Sequence, residues 1–154
     1  ISTSGIVPRI YDLGRELPTQ LAVSLNATTN EQRTRIMPIN KKWPIEELVQ
    51  AMRDYPLGNR RRITVEYVML KDINDTPEDA RRLIKLLRDI PVKVNLLPLN
   101  AHDRTEFETP PWERVVAFQN ILRQAKMTSL LRTPRGQDIS AACGQLGETV
   151  PPPA

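Results

Sequence analysis

Four stretches of the chain are short, apolar or β-branched, and bounded by turn residues: 21–25 (LAVSL), 62–70 (RITVEYVML), 92–99 (VKVNLLPL) and 128–132 (TSLLR). This pattern predicts buried β-strands. The opening residues 1–5 (ISTSG) read as the tail of a fifth strand running into a glycine turn. Between these stretches the apolar period becomes helical. After Pro44, the residues Ile45, Leu48, Val49 and Met52 fall at i, i+3, i+4 and i+7, one face of an α-helix. Thr76 is a predicted N-cap, with Pro77 at the first helical position and Glu78 and Asp79 in the first turn. It leads into an apolar face of Leu83, Leu86, Leu87 and Ile90. Thr109-Pro110-Pro111 opens a third helix with Val115, Phe118 and Leu122 as its stripe, and 7–17 forms a fourth, less regular one. Residues 148–154, ending in three prolines and an alanine, are expected to be a disordered tail.

Strands that are nearly continuous in apolar character and alternate with helices predict an α/β fold, a parallel sheet covered by helices. Such sheets carry their chemistry at the carboxyl ends of the strands. Polar residues just past a strand are therefore the candidates: Ser2, Thr3 and Ser4; Ser24 and Asn26; Asn100; and, after the last strand, Arg135 and Cys143. Hydroxyls and amides gathered at one mouth suit a neutral, hydroxyl-rich ligand such as a ribose or an amino-acid group. No His or carboxylate pair stands beside a nucleophile, so hydrolysis is a poor fit. The chemistry would come from a cofactor or from further parts of the chain. Each candidate also has a plain structural use. Ser2 to Ser4 suit a turn, Asn26 and Asn100 suit turns or caps, and a lone cysteine is usually a small buried hydrophobe. Against that, Arg132 and Arg135 near Cys143 favour a thiolate.

Composition narrows this little. With 154 residues, 40% of them hydrophobic and 26% charged, the chain is about one domain and can bury a core. It has no run long enough to span a membrane, and its first residues do not read as a signal peptide. A chain opening on an apolar strand-like run is expected to be cut from something longer. One cysteine excludes an internal disulfide, and one cysteine with one histidine (His102) excludes a self-contained zinc site of the usual Cys/His kind. His102, in a polar loop, reads as solvated. The net charge of +4, with Arg60-Arg61-Arg62 and Lys41-Lys42, permits phosphate contacts.

Six segments in order resemble the RlmN-type family of radical S-adenosylmethionine methyltransferases: STSGIVP (2–8), LAVSLNA (21–27), RIMPINKKWP (35–44), RITVEYVMLKDINDT (62–76), KVNLLPLN (93–100) and RTPRGQDISAACGQL (132–146). The resemblance implies that 1–147 are the C-terminal half of a radical SAM partial (βα) barrel, including the loop of a methyl-carrier cysteine. It implies methylation of carbon 2 of adenine in ribosomal and transfer RNA. The cofactor S-adenosylmethionine would be held by Ser2, Ser24, Leu25, Asn26 and Asn100. Cys143 would receive a methyl group from one cofactor molecule, and a second would be cleaved to a radical that activates that methyl for addition to the adenine ring. A second cysteine would release the product by closing a disulfide with Cys143. An adenine ring carbon is too weak a nucleophile for ordinary methyl transfer, and a thioether holds the one-carbon unit in place between steps.

The same resemblance places the cysteines that ligate a 4Fe-4S cluster, a Gly-Glu motif and the partner cysteine before residue 1. No metal ligand is expected within these residues, and they would be inactive alone, with unpaired edge strands at both ends. Many relatives carry His at the position of Asn26, so binding is the expected role of that residue. A reducing partner such as flavodoxin, a cytoplasmic location and a monomeric enzyme are further implications. Two alternatives stay open: the sister branch that methylates carbon 8 of adenine, and a non-catalytic RNA-binding module. The target adenine would need to be unstacked to reach a barrel mouth.

Overall fold

The computed structural model describes residues 1–17, 19–59, 61–100 and 106–132. Five strands, β1 (Ser2–Thr3), β2 (Ala22–Ser24), β3 (Ile63–Met69), β4 (Val92–Pro98) and β5 (Ser129–Leu131), form one parallel sheet in sequential order. Helices α1 (Val7–Glu16), α2 (Asn30–Ile36), α3 (Ile45–Asp54), α4 (Pro77–Leu87) and α5 (Trp112–Gln124) connect them, with a 3₁₀ turn at Pro38–Lys41 after α2. The expected α/β class and parallel sheet are what the chain adopts. Among the described residues no helix is long and apolar enough to cross a membrane.

In a parallel sheet of sequential strand order, crossovers of the usual right hand put the connecting helices on one face. Burial follows that rule. In β3 the side chains of Ile63, Val65, Tyr67 and Met69 are buried, and those of Thr64, Glu66 and Val68 are half-buried. β4 repeats the alternation, with Val92, Val94 and Leu96 inside and Lys93, Asn95 and Leu97 on the other face. The inner set packs with Leu48 and Met52 of α3, Leu83 and Leu87 of α4, and Val115, Phe118 and Leu122 of α5. The Tyr67 and Phe118 rings lie 5.4 Å apart between centroids, a productive aromatic spacing. Fully burying each such side chain stabilises by roughly 1.5–3 kcal/mol.

The helix starts follow their local chemistry. Thr76 and Asp79 close a reciprocal capping box at the start of α4, and Pro44 and Pro111 stand as the N-caps of α3 and α5. Ile90 lies past the end of α4 rather than on its stripe, because the chain turns at 88–90 with the Ile90 N–H on the Leu87 carbonyl. It is buried all the same. One helix was not foreseen. α2 carries a capping box of Thr29 and Gln32, and its one buried residue is Arg33. Among the described residues β1 and β5 each pair on one side only.

Candidate functional site at the strand carboxyl ends

The register brings polar side chains of three strands into one row on the face away from the helices. Ser24 pairs with Glu66 and Glu66 with Asn95. Asn95 Nδ2 donates to Glu66 Oε1 at 2.9 Å, which fixes the amide's orientation because a carboxylate only accepts. Among the described residues the buried Oδ1 of Asn95 then accepts no hydrogen bond. Ser2 pairs with Ala22 and so faces the same side, exposed. Asn100 lies two residues past β4, half-buried, beside Leu99, whose N–H donates to Met69 O.

The β2–β3 mouth is built by two asparagines. Asn26 follows β2 with φ 57°, a left-handed conformation that asparagine tolerates. Its Oδ1 accepts from the Val68 N–H at 2.9 Å, and its Nδ2 approaches Met37 Sδ at 3.3 Å. Asn74, fully buried in the loop after β3, donates to the carbonyls of Asn26 and Val68 and accepts from the Leu70 N–H. The Tyr67 hydroxyl donates to the Asn74 carbonyl at 2.9 Å. Leu25 is fully buried, its N–H donating to Glu66 O and its carbonyl accepting from Arg33 Nε. It therefore offers the mouth backbone and shape rather than a polar side chain.

Arg33 is the central cation of this end. It is 0% exposed, and its guanidinium donates to the carbonyls of Leu25 (3.1 Å), Ser24 (3.2 Å) and Ser4 (2.7 Å) and to Asn40 Oδ1 (3.3 Å). Burial pulls its pKa down to about 10, so it stays charged at neutral pH. On the helix side, Asp79 accepts from Thr28, Gln32, Thr76 and Arg82. Burial pushes this carboxyl up, but the hydrogen bonds outweigh burial and leave it below the ordinary aspartate value. Beside it, Arg114 bridges Asp72 and Asp75.

Of the residues singled out in the sequence, Ser24, Leu25, Asn26 and Asn100 lie at the carboxyl ends of their strands or just past them, whereas Ser2 opens β1 in register with Ala22 and Thr64, one row further from the mouth than Ser24. Arg132 follows β5, exposed, with its N–H on Leu96 O. Cys143, Arg135, Arg60, His102 and the 148–154 tail lie outside the described residues. Reasoning from the sequence missed Arg33, Asn74 and the Glu66–Asn95 pair. The Thr29-x-x-Gln32 spacing was the available signal for the helix that carries Arg33.

The donor set can be tested against the two groups the family resemblance implies. Serine hydroxyls, asparagine amides and an unused buried acceptor on Asn95 fit the hydroxyl and amino groups of S-adenosylmethionine. An iron–sulfur cluster does not fit. The described residues hold no group of three His, Cys, Asp or Glu able to bind a metal, and the whole chain has one cysteine where a cluster needs three or four thiolates.

The chain is 51% identical over 156 residues to a dual-specificity RNA methyltransferase RlmN of Syntrophotalea carbinolica, covering 100% of the chain and 42% of that protein. It is 54% identical over 147 residues to the protein of the same name from Sinorhizobium fredii, covering 95% of the chain and 36% of the relative. The chain thus spans about two fifths of the length of the curated relatives it matches. Among solved structures, a radical SAM methyltransferase from Sphaerobacter thermophilus superposes with a TM-score of 0.87 at 44% identity, over 94% of this chain and 42% of that one. A domain of a pyruvate-formate lyase-activating enzyme from Bacteroides vulgatus shares the fold at 16% identity and a TM-score of 0.64. No family model matches.

Proposed function

The chain belongs by sequence and fold to the RlmN-type radical SAM methyltransferases, as their C-terminal part, and on that premise we propose that the full-length protein methylates carbon 2 of adenine in ribosomal and transfer RNA. The observation that carries this reading is end-to-end similarity above 50% to proteins of that name, joined to a strand-end mouth whose neutral donors suit the cofactor. S-adenosylmethionine supplies the methyl group when bound. The chain's own residues bind and orient it: Ser2 and Ser24 on the open face of the sheet, the Leu25-Asn26 backbone at the β2 mouth, and Asn100 past β4. Cys143 accepts the methyl group on sulfur and holds it as a thioether until it is delivered to the base. Because the cluster does not fit these residues, its ligands belong to another part of the protein. RNA is the macromolecular partner, flavodoxin or a similar protein the reductant, and the enzyme is monomeric and cytoplasmic.

The test is mass spectrometry of ribosomal and transfer RNA from a deletion strain carrying the full-length gene. The expected result is 2-methyladenosine in both RNAs, lost with Cys143→Ala. Appearance of 8-methyladenosine would move the protein to the sister branch. RNA methylation that survives Cys143→Ala would refute the carrier role.

A further inference from the structure

The two segments assigned above to the cofactor follow neighbouring strands, paired as far as Thr3 and Val23. Just past that last ladder pair, one buried cation joins them. Ser4 follows β1, and Ser24 and Leu25 end β2. The carbonyls of all three converge on the Arg33 guanidinium, whose Nη2 alone takes both Ser4 O and Ser24 O. Carbonyls at the carboxyl ends of parallel strands have no next residue in the ladder to satisfy them, and a guanidinium with five fixed donors can serve several at once. Among the described residues no carboxylate is a hydrogen-bond or ion-pair partner of Arg33; the fourth acceptor is the neutral Asn40 Oδ1. A charge buried at 0% exposure without an ion-pair partner is costly. Here that cost is offset by the three strand-end carbonyl dipoles and the Asn40 amide oxygen.

The surrounding chain holds Arg33 in place. α2 is capped by Thr29 and Gln32. Asn40, in the following 3₁₀ turn, is anchored on the Asn30 carbonyl, Asn30 Oδ1 and Thr34 Oγ1. Gly5, at φ +106°, leaves room for the cation: a Cβ there would stand 2.9 Å from Arg33 Nη2. Sequence, backbone conformation and helix capping thus combine to keep one guanidinium between two loops.

We propose that Arg33 is the positioning residue of the cofactor site, holding the chain at Ser4 against the Ser24–Asn26 loop just past the last β1–β2 ladder pair, beside the residues that grip S-adenosylmethionine. This rests on the assignment of those residues to the cofactor. A lysine at this place keeps the charge but cannot reach three divergent carbonyls from one planar group. Small misplacement of binding groups is expensive in a preorganised site.

The test uses the full-length protein. Equilibrium dialysis with labelled S-adenosylmethionine is run well below the melting midpoint for wild type, Arg33→Lys and Arg33→Gln. Affinity is expected to fall about tenfold or more in both variants, with no rescue by lysine. A merely structural role would lower the melting midpoint and leave the affinity of the folded protein unchanged; that result overturns the proposal. A wild type that binds no S-adenosylmethionine overturns the loop assignment instead, and the proposal with it. If the variants do not fold, hydrogen exchange on the wild type decides. Cofactor is expected to slow exchange in 1–6 and 21–27 together, and slowing confined to one of the two segments overturns the coupling.

Discussion

Replacing Asn74 with alanine removes the side chain that joins the ends of β2 and β3. Asn74 is fully buried, and its amide makes three bonds to backbone: to Asn26 O at 2.8 Å, to Val68 O at 2.7 Å, and from the Leu70 N–H at 2.7 Å. Alanine leaves all three backbone groups without that partner, inside the structure. Each such orphan costs about 1–3 kcal/mol, so even at the low end the variant loses about 3 kcal/mol. That is a large share of the roughly 5–15 kcal/mol that holds a domain folded. With a urea slope of about 2 kcal/mol/M, the midpoint falls by about 1.5 M.

Asn74→Asp sharpens the test. Its carboxylate can still accept from the Leu70 N–H, but it would face the carbonyls of Asn26 and Val68 with no donor. Its folded-state pKa is therefore raised above the unfolded value, the folded form binds more protons, and part of the stability returns as pH falls through that raised pKa. The assay is urea unfolding of the full-length protein followed by far-UV circular dichroism, for both variants at neutral and mildly acidic pH. A midpoint shift in Asn74→Ala smaller than about 0.5 M would refute the reasoning, since that corresponds to about 1 kcal/mol for three orphaned groups.

Two further substitutions probe the same end of the sheet. Asp79→Asn removes the charge and replaces one of two accepting oxygens with an NH2, leaving either the donors of Thr28, Gln32 and Arg82 or the Thr76 N–H without an acceptor, and is expected to cost about 3 kcal/mol, read as a fall in the melting midpoint. Because the folded Asp79 carboxyl titrates below its ordinary value, wild-type stability from this group is complete above the unfolded pKa of about 3.9 and lost as pH falls through the lower folded one. The melting midpoint of Asp79→Asn should therefore lose less than wild type on going below that pKa, and equal losses would contradict the assignment. Gly5→Ala must adopt φ +106° and displace Arg33, and is expected to lose about 1–3 kcal/mol; an unchanged melt would show that Arg33 has room to move.

The strands were legible because alternation survives in them. Ile63, Val65, Tyr67 and Met69 face the helices while Thr64, Glu66 and Val68 do not, a period that the sequence carries openly. The predicted ends overran the observed ones by one or two residues, as at 128–132 against Ser129–Leu131, because flanking residues share the apolar character without the ladder. α2 was illegible for a different reason. Its sequence NEQRTRI has no apolar stripe, and what it buries is a charged residue, the opposite of what hydrophobic periodicity detects. Strand-end placement could select Asn26 but not its partner Asn74, 48 residues away, because that pairing depends on how two loops close in space. Cys143 stands on its motif alone.

The open face of the sheet carries the last step. A parallel sheet is normally covered on both sides, and a second helical layer would need an apolar surface to pack on. Here the face away from the helices presents Thr64, Glu66, Lys93 and Asn95 at its centre, with Asn95 Oδ1 buried and, among the described residues, without a donor. Apolar side chains on that face, Val68 and Leu97, pair with each other one row nearer the carboxyl ends. A helix laid over the central row would strand a carboxylate, an ammonium and an amide at several kcal/mol each. A polar ligand or solvent on that face would satisfy them. The superposition on a radical SAM methyltransferase is thus matched by the chemistry of the face itself: the apolar side of these strands builds the core, and the polar side is left for what the barrel encloses.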